Sequence, residues 1–403
     1  MLYGQASPQA GDLYETDGTY SRTWDGDAAG PVVKTATVNG KEVLTWAWTT
    51  WAGRASATYI PVDEALHYML DEADDYEAKD RLYGQYGIVL KVDPSKYATG
   101  NSTVKLDIKG GDYRIDWGDK SRDSRTAHTY KDGDRDYRIV VRGHNITKLA
   151  QALDEDEESW GKCILGIIQM ALPTGCNLAG VFRGCSNIDS WDGLQLPQGT
   201  TEIPDNAYRG SNIAPTDWPE GITTLGKYCY SGTGAAFTTI PGRVHLQDYS
   251  LEGTSLAATA LPLGIVLGEG VFRNSTIALT ELPQDWTAVP KATFEGCTAT
   301  AIEELPEGLT AIGDSAFKGT ATTGTLVIPT GVDTIGEDAF AGTTLSTVEF
   351  AGTPTSIGAG AFPSTAQILA PWSKDDIEGA PWGAGSVVYD YAPEDEEPEQ
   401  PED

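Results

Sequence analysis

Basic residues are scarce in this chain of 403 residues: 28 Lys and Arg stand against 59 Asp and Glu, a net charge of -31. So acidic a surface repels the phosphate backbone and anionic headgroups, which argues against nucleic acid or anionic lipid as partners. Long apolar runs are missing too. No stretch reaches the ~18 apolar residues that span a bilayer, so membrane insertion is not expected. The opening, MLYGQASPQAGDLYETDG, has neither a basic stretch nor an apolar core, and no secretory leader is expected from it. The final stretch, APEDEEPEQPED, offers no anchor.

Cysteine is sparse and odd in number: Cys163, Cys176, Cys185, Cys229 and Cys297, with no Cys-x-x-Cys pair. That excludes a disulfide framework or a zinc site of recognisable spacing. A Cys176–Cys185 bridge stays open, while Cys185 and Cys297 sit where a small core residue would fit. The four histidines, His67, His128, His144 and His245, are scattered. No GxSxG, HExxH, P-loop or dinucleotide fingerprint occurs. His245, Asp248 and Ser250 share one short stretch, but no glycine elbow accompanies them. Neither an enzyme nor a cofactor nor a metal site is expected.

Glycine, by contrast, is plentiful at 46 residues, and it falls in a repeating frame. LPEGLTAIGDSAFKGT (305–320) is followed by IPTGVDTIGEDAFAGT (328–343) and FAGTPTSIGAGAFPST (350–365). Prolines recur at 197, 219, 241, 262, 283, 306 and 329, with gaps of 22, 22, 21, 21, 23 and 23. All follow Ile or Leu except Pro219, which follows Trp218. Ten or eleven residues after each comes a bulky anchor: Tyr208, Tyr230, Leu251, Phe272, Phe294, Phe317 and Phe340. Phe182 and Phe362 extend the series at its ends. A period of this size marks a solenoid, whose coils cannot bury an apolar face alone and stack into a column. At ~4.8 Å per stacked strand, nine coils make a rod on the order of 40 Å long.

This pattern resembles the BspA-like leucine-rich repeats, with their IPxxVxxIGxxAFxxC consensus, over about 190 residues. The resemblance implies a non-enzymatic protein that works outside the cell, since proteins with this repeat are commonly bacterial surface adhesins. The anchors are then structural, and function sits on the residues between them. Trp218, Tyr228, Tyr249 and Trp286 interrupt the irregular coils between about 205 and 300. They are the candidate ligand-binding residues if exposed; packing between coils is the alternative for each.

Upstream, YGIVLKV, STVKLDI, DYRIDWGD and DYRIVVRG read as strands of a small β-sandwich. Asp116-Trp117-Gly118-Asp119 is followed by His128-Thr129-Tyr130. This order is similar to that of the PKD domain family, which implies an immunoglobulin-like spacer or adhesion module without a catalytic centre. Lys120 stands where that family has glycine. His128 is placed to hydrogen-bond with Asp116 or Asp119 across the sandwich. Nearer the start, VVKTATVNGKEVLTWAWTTW predicts a hairpin around Asn39-Gly40. Residues 61–82 carry Leu66, Met69, Leu70, Ala73 and Tyr76 at helical spacing.

The expected architecture is mostly β. It comprises an N-terminal β-rich domain with the helix 61–82 (residues 1–84), a PKD-like sandwich (85–147) and a solenoid cap (148–172). A leucine-rich-repeat solenoid of about nine coils (173–370), a C-terminal cap (371–392) and a disordered acidic tail (393–403) follow. The expected function is non-enzymatic adhesion or receptor recognition. Its partner is a protein or glycan on a host or neighbouring-cell surface. The setting is extracellular or a phage virion, with the N-terminal domain held by virion proteins. A secreted bacterial adhesin and a structural decoration or spacer protein without a ligand are the alternatives.

Overall fold

The computed structural model describes residues 32–38, 41–47, 87–96, 103–110, 113–130, 136–143, 146–151 and 160–392. The helix expected over 61–82 and the acidic tail 393–403 lie outside these residues. The strands of the N-terminal hairpin lie within them. Strands β1 (Val32–Val38) and β2 (Lys41–Ala47) pair antiparallel, Val38 opposite Lys41; Asn39-Gly40 lies outside the described residues.

The sandwich is made of β3 (Gly87–Val92), β4 (Thr103–Lys109), β5 (Tyr113–Asp116), β6 (Arg122–Asp123), β7 (Ala127–Thr129), β8 (Tyr137–Gly143), β9 (Lys148–Gln151) and β10 (Ile164–Ala171). One sheet runs β10-β3-β8-β5-β6 and the other β7-β4-β9. Alternation along β4 turns Val104, Leu106 and Ile108 inward. They share one core with Ile88, Leu90, Ile115, Trp117, Ile139 and Val141 of the facing sheet.

Strands β9 and β10 complete this sandwich and also begin the solenoid. Strand β9 bridges Asn177 through Lys148, and β10 bridges Ser190 through Gly166. Both sheets thus run on into the first coil, so its apolar end meets the sandwich core rather than water.

The repeats form a β-solenoid of about nine coils with almost no helix. Each coil after the first, which is anchored by Phe182, contributes one two-residue strand. These are β11 (Glu202–Ile203), β12 (Thr224–Leu225), β13 (His245–Leu246), β14 (Val266–Leu267), β15 (Ala288–Val289), β16 (Ala311–Ile312), β18 (Thr334–Ile335) and β20 (Ser356–Ile357). The last coils add β17 (Thr323–Ile328), β19 (Thr344–Phe350), β21 (Gln367–Leu369) and β22 (Ser386–Val388) on another face. Five residues after the second residue of each short strand stands the anchor of its coil. From Phe272 onward the rings stack flat, Phe317 on Phe340 at 5.1 Å and 10° and Phe340 on Phe362 at 5.7 Å and 6°. Leu251 interrupts the ring stack, and Phe237 packs edge-on to Tyr230 beside the gap.

Left-handed backbone flanks every anchor. Two residues before it, Asn206, Tyr228, Tyr249, Gly270, Ala292, Ser315, Asp338 and Gly360 all have φ between 53° and 66°. Two residues after it, the same conformation falls to glycine in most coils and to Asn274 in one. The next position holds Cys185, Ser211, Thr233, Thr254, Ser275, Cys297, Thr320 or Thr343, all buried. Its threonines donate back to the anchor carbonyl, as Thr320 Oγ1 does to Phe317 O at 2.9 Å. Cys185 and Cys297 therefore pack as small core residues, and none of the five cysteines is joined in a disulfide.

The short strands form two parallel ladders, β11-β12-β13-β14 and β15-β16-β18-β20, rather than one. Within each, the residue after a strand donates its N–H to the preceding coil. Gly268 gives to Leu246 O at 2.7 Å and Gly313 to Val289 O at 2.8 Å. Both ladders begin with a strand followed by proline, Ile203-Pro204 and Val289-Pro290. Proline has no N–H to give, so Pro290 cannot make the bond to Leu267 that would join β14 to β15.

Candidate recognition surface

The four aromatics singled out in the middle coils do not share one environment. Trp286 is 5% exposed, and its ring stacks on Phe294 at 6.3 Å. It packs the column, the alternative that the sequence left open beside ligand binding. Trp218 is half-buried, leans on Phe237 at 5.3 Å and donates its indole N–H to Ile222 O at 2.8 Å. It braces its own coil.

Tyr228 and Tyr249 are different. Both are half-buried and stand at equivalent left-handed positions of adjacent coils, so the 21-residue offset brings the rings into register. They stack at 5.0 Å and 6°. The Arg209 guanidinium covers the other face of Tyr228, 4.5 Å from the ring centre, a cation–π contact. Asn206 Oδ1 holds that guanidinium at 3.3 Å. The far side of Tyr249 lies over Gly270, where an added Cβ would sit 2.2 Å from Tyr249 Cε1. Every ring face in the stack is therefore occupied. What the stack presents is ring edges and two phenol hydroxyls. Burial, then the neighbouring Tyr228, raises the Tyr249 phenol above its ordinary value, so it stays a hydrogen-bond donor.

Charge is distributed unevenly around the rod. Between 173 and 392 the Lys and Arg residues are Arg183, Arg209, Lys227, Arg243, Arg273, Lys291, Lys318 and Lys374. All but Arg243 and Lys374 stand one residue after an anchor or three before it. Carboxylates from neighbouring coils interleave with them on this turn face. Lys227 pairs with Asp248 at 2.8 Å, Arg273 with Glu295 at 2.9 Å and Lys318 with Asp338 at 2.8 Å. Hydrogen bonding from Lys227, opposed by burial and helped by the Glu269 N–H, holds the Asp248 carboxyl below the ordinary range. Arg209 was not apparent as a site residue. Its signal was positional: Arg183, Arg209, Arg273 and Lys318 share one place in the frame.

The His245, Asp248 and Ser250 stretch does not assemble into catalytic machinery. Ser250 is fully buried and His245 is exposed on the strand face. Asp248 is engaged by Lys227 and the Glu269 N–H. In the sandwich, His128 Nε2 meets Asp119 Oδ2 at 2.8 Å, stacks on Trp117 at 5.0 Å and meets Tyr130 edge-on. Asp116 instead accepts the Gly118 N–H at 2.9 Å. Lys120 takes the left-handed conformation, φ 75°, that a glycine would take there. The Tyr130 hydroxyl donates to Trp117 O at 2.9 Å and ties the two motifs together. Among the described residues no group of three His, Cys, Asp or Glu side chains is placed to hold a metal ion.

The architecture defines a β-solenoid of short repeats built on one strand and one anchor per coil. Residues 179–278 and 265–370 match the family profile described as BspA type leucine rich repeat region, in six copies. Two solved structures are similar. A leucine-rich repeat protein from Bacteroides ovatus is 15% identical, over 60% of this chain and 71% of that one, with a TM-score of 0.42. The pneumococcal vaccine antigen PcpA is 12% identical, over 62% and 85%, with a TM-score of 0.31. No curated protein matches the chain.

Proposed function

We propose that this protein is a non-catalytic adhesion or recognition protein acting at a cell surface, and that the turn face of coils 205–295 makes the contact. Repeats of this type are commonly found in surface adhesion or recognition proteins, which supports the class. The observation that carries the location is the Arg209–Tyr228–Tyr249 stack. It holds aromatic edges and hydroxyls rigid on the rod's exterior, at little further entropic cost on binding. Because the ring faces are covered, the partner is read through hydrogen bonds and charge rather than by a sugar ring stacking flat. That favours a protein surface or the polar edge of a glycan. The sandwich, with its PKD-like Trp117 turn and Tyr130 tie, serves as a rigid spacer behind the rod.

The test is a binding screen of the full chain on glycan arrays and on intact cell surfaces. The double variant Tyr228→Ala, Tyr249→Ala is expected to lose binding by tenfold or more, in the range of hot-spot truncation at about 2 kcal/mol. Substitution of Thr323 and Thr325 in the regular coils is expected to leave it unchanged. Binding that follows Thr323 and Thr325 instead would move the site. No binding on any panel would favour a structural role.

A further inference from the structure

The gap between the two strand ladders is local. Coil length does not explain it. Pro219 lies five residues before Thr224 and Pro241 four before His245, yet β12 and β13 pair. A one-residue change in the opposite sense separates Pro262 and Val266 from Pro283 and Ala288, and there the ladder stops. What differs is Pro290. Gly268, Gly313, Gly336 and Gly358 hold the equivalent place in β14, β16, β18 and β20, and each donates across to the preceding coil. Turn geometry changes at the same point. The second residue after proline is left-handed at Gly199, Gly221, Arg243 and Gly264, but not at Asp285, Gly308 or Gly331.

The other two sides of the rod are continuous through this level: Ala301 N–H donates to Leu279 O at 2.8 Å and Glu303 N–H to Thr280 O at 3.0 Å, and the turn face is bonded too. Gly270 N–H donates to Lys291 O at 2.8 Å, Phe272 to Thr293 O at 3.1 Å and Asn274 to Glu295 O at 2.7 Å. Phe272 stacks on Phe294 at 5.6 Å, and Arg273 reaches both Glu252 and Glu295. On the strand face only a side chain crosses, Asp285 Oδ2 accepting the Gly264 N–H at 2.7 Å. Leu263 and Val266, 62% and 56% exposed, border the gap.

We infer that Pro290 builds a hinge into the solenoid. The rod opens at the strand face between Leu267 and Ala288 and bends about its two intact sides, swinging residues 288–392 as one body. A packed column is otherwise stiff, because each coil is bonded to its neighbours on both sides. Losing the backbone bonds from the strand side alone leaves as the axis the turn-face bonds, the Phe272–Phe294 contact and the bonds that Ala301 and Glu303 donate to Leu279 O and Thr280 O.

Hydrogen–deuterium exchange of the full chain tests this without a ligand. The peptide region 284–292 should exchange about tenfold faster than 307–315, its counterpart one coil on, since local opening sets the rate. Pro290→Gly supplies the missing N–H in the residue type of its neighbours and should bring 284–292 into line with 307–315. Pro204→Gly, which has no strand ladder before it, should leave 284–292 as in the wild type. Equal protection of the two regions in the wild type would overturn the hinge, even if the glycine variant failed to fold. So would a folded Pro290→Gly protein with unchanged exchange.

Discussion

The ring of Tyr228 lies flat against that of Tyr249, 5.0 Å away, and both residues hold a left-handed backbone that bulky side chains rarely adopt. The stack ends on Gly270 because a side chain there would enter the Tyr249 ring. Gly270→Ala should therefore push Tyr249 off Tyr228. Its added cost is the left-handed alanine, about 1–2 kcal/mol. Near-ultraviolet circular dichroism should lose the tyrosine couplet while far-ultraviolet signal persists. An unchanged aromatic spectrum would count against the stack.

The anchor column should be the most sensitive part of the rod. Phe317 is fully buried between Phe294 and Phe340. Phe317→Ala removes both stacking contacts and leaves a cavity that neighbouring coils cannot collapse into, and it should cost about 3–5 kcal/mol. Thermal unfolding that matches the wild type would show that the column is not what holds the coils.

How much of this was legible in the sequence depends on what each signal depends on. The 21- to 23-residue period and the anchors were legible because burial repeats with the frame. The packing of Trp286 could have been read from its distance from Pro283, which matches that of Leu309 from Pro306 and Val332 from Pro329, both buried. Trp286 fills the aliphatic place of its coil. The Tyr228–Tyr249 stack depends on left-handed φ values, which residue type does not announce outside glycine and asparagine. Residues 148–172 were expected to cap the rod; the double use of β9 and β10 depends on pairing with β4 and β3, which is non-local. Pro204 and Pro290 were visible, but they lie outside the periodic proline series.

Leu251 offers a prediction against the consensus. It replaces the aromatic anchor, so pattern alone would favour Leu251→Phe as a repair. Leu251 is already fully buried, and Phe237 fills space beside Tyr230. A larger ring has no room, and the substitution should destabilise by about 1–3 kcal/mol. A raised midpoint in thermal unfolding would show unfilled space in that coil.

The Asp119–His128 pair predicts a pH dependence in the sandwich. Burial alone would raise the Asp119 carboxyl. The Ser121 N–H and the His128 ring outweigh it and hold the group below the ordinary carboxylate value. A carboxyl depressed in the folded state contributes stability that is fully present above its unfolded value, near ~3.9, and is lost as pH falls through the folded one. Asp119→Asn should accordingly be less stable than the wild type at neutral pH, and the difference should shrink on acidification through that window. Denaturant unfolding at neutral pH and at about pH 3 measures it. A gap between the two proteins that stays constant across this range would mean that the charge of Asp119 contributes nothing, and that the Trp117 turn is held by packing alone.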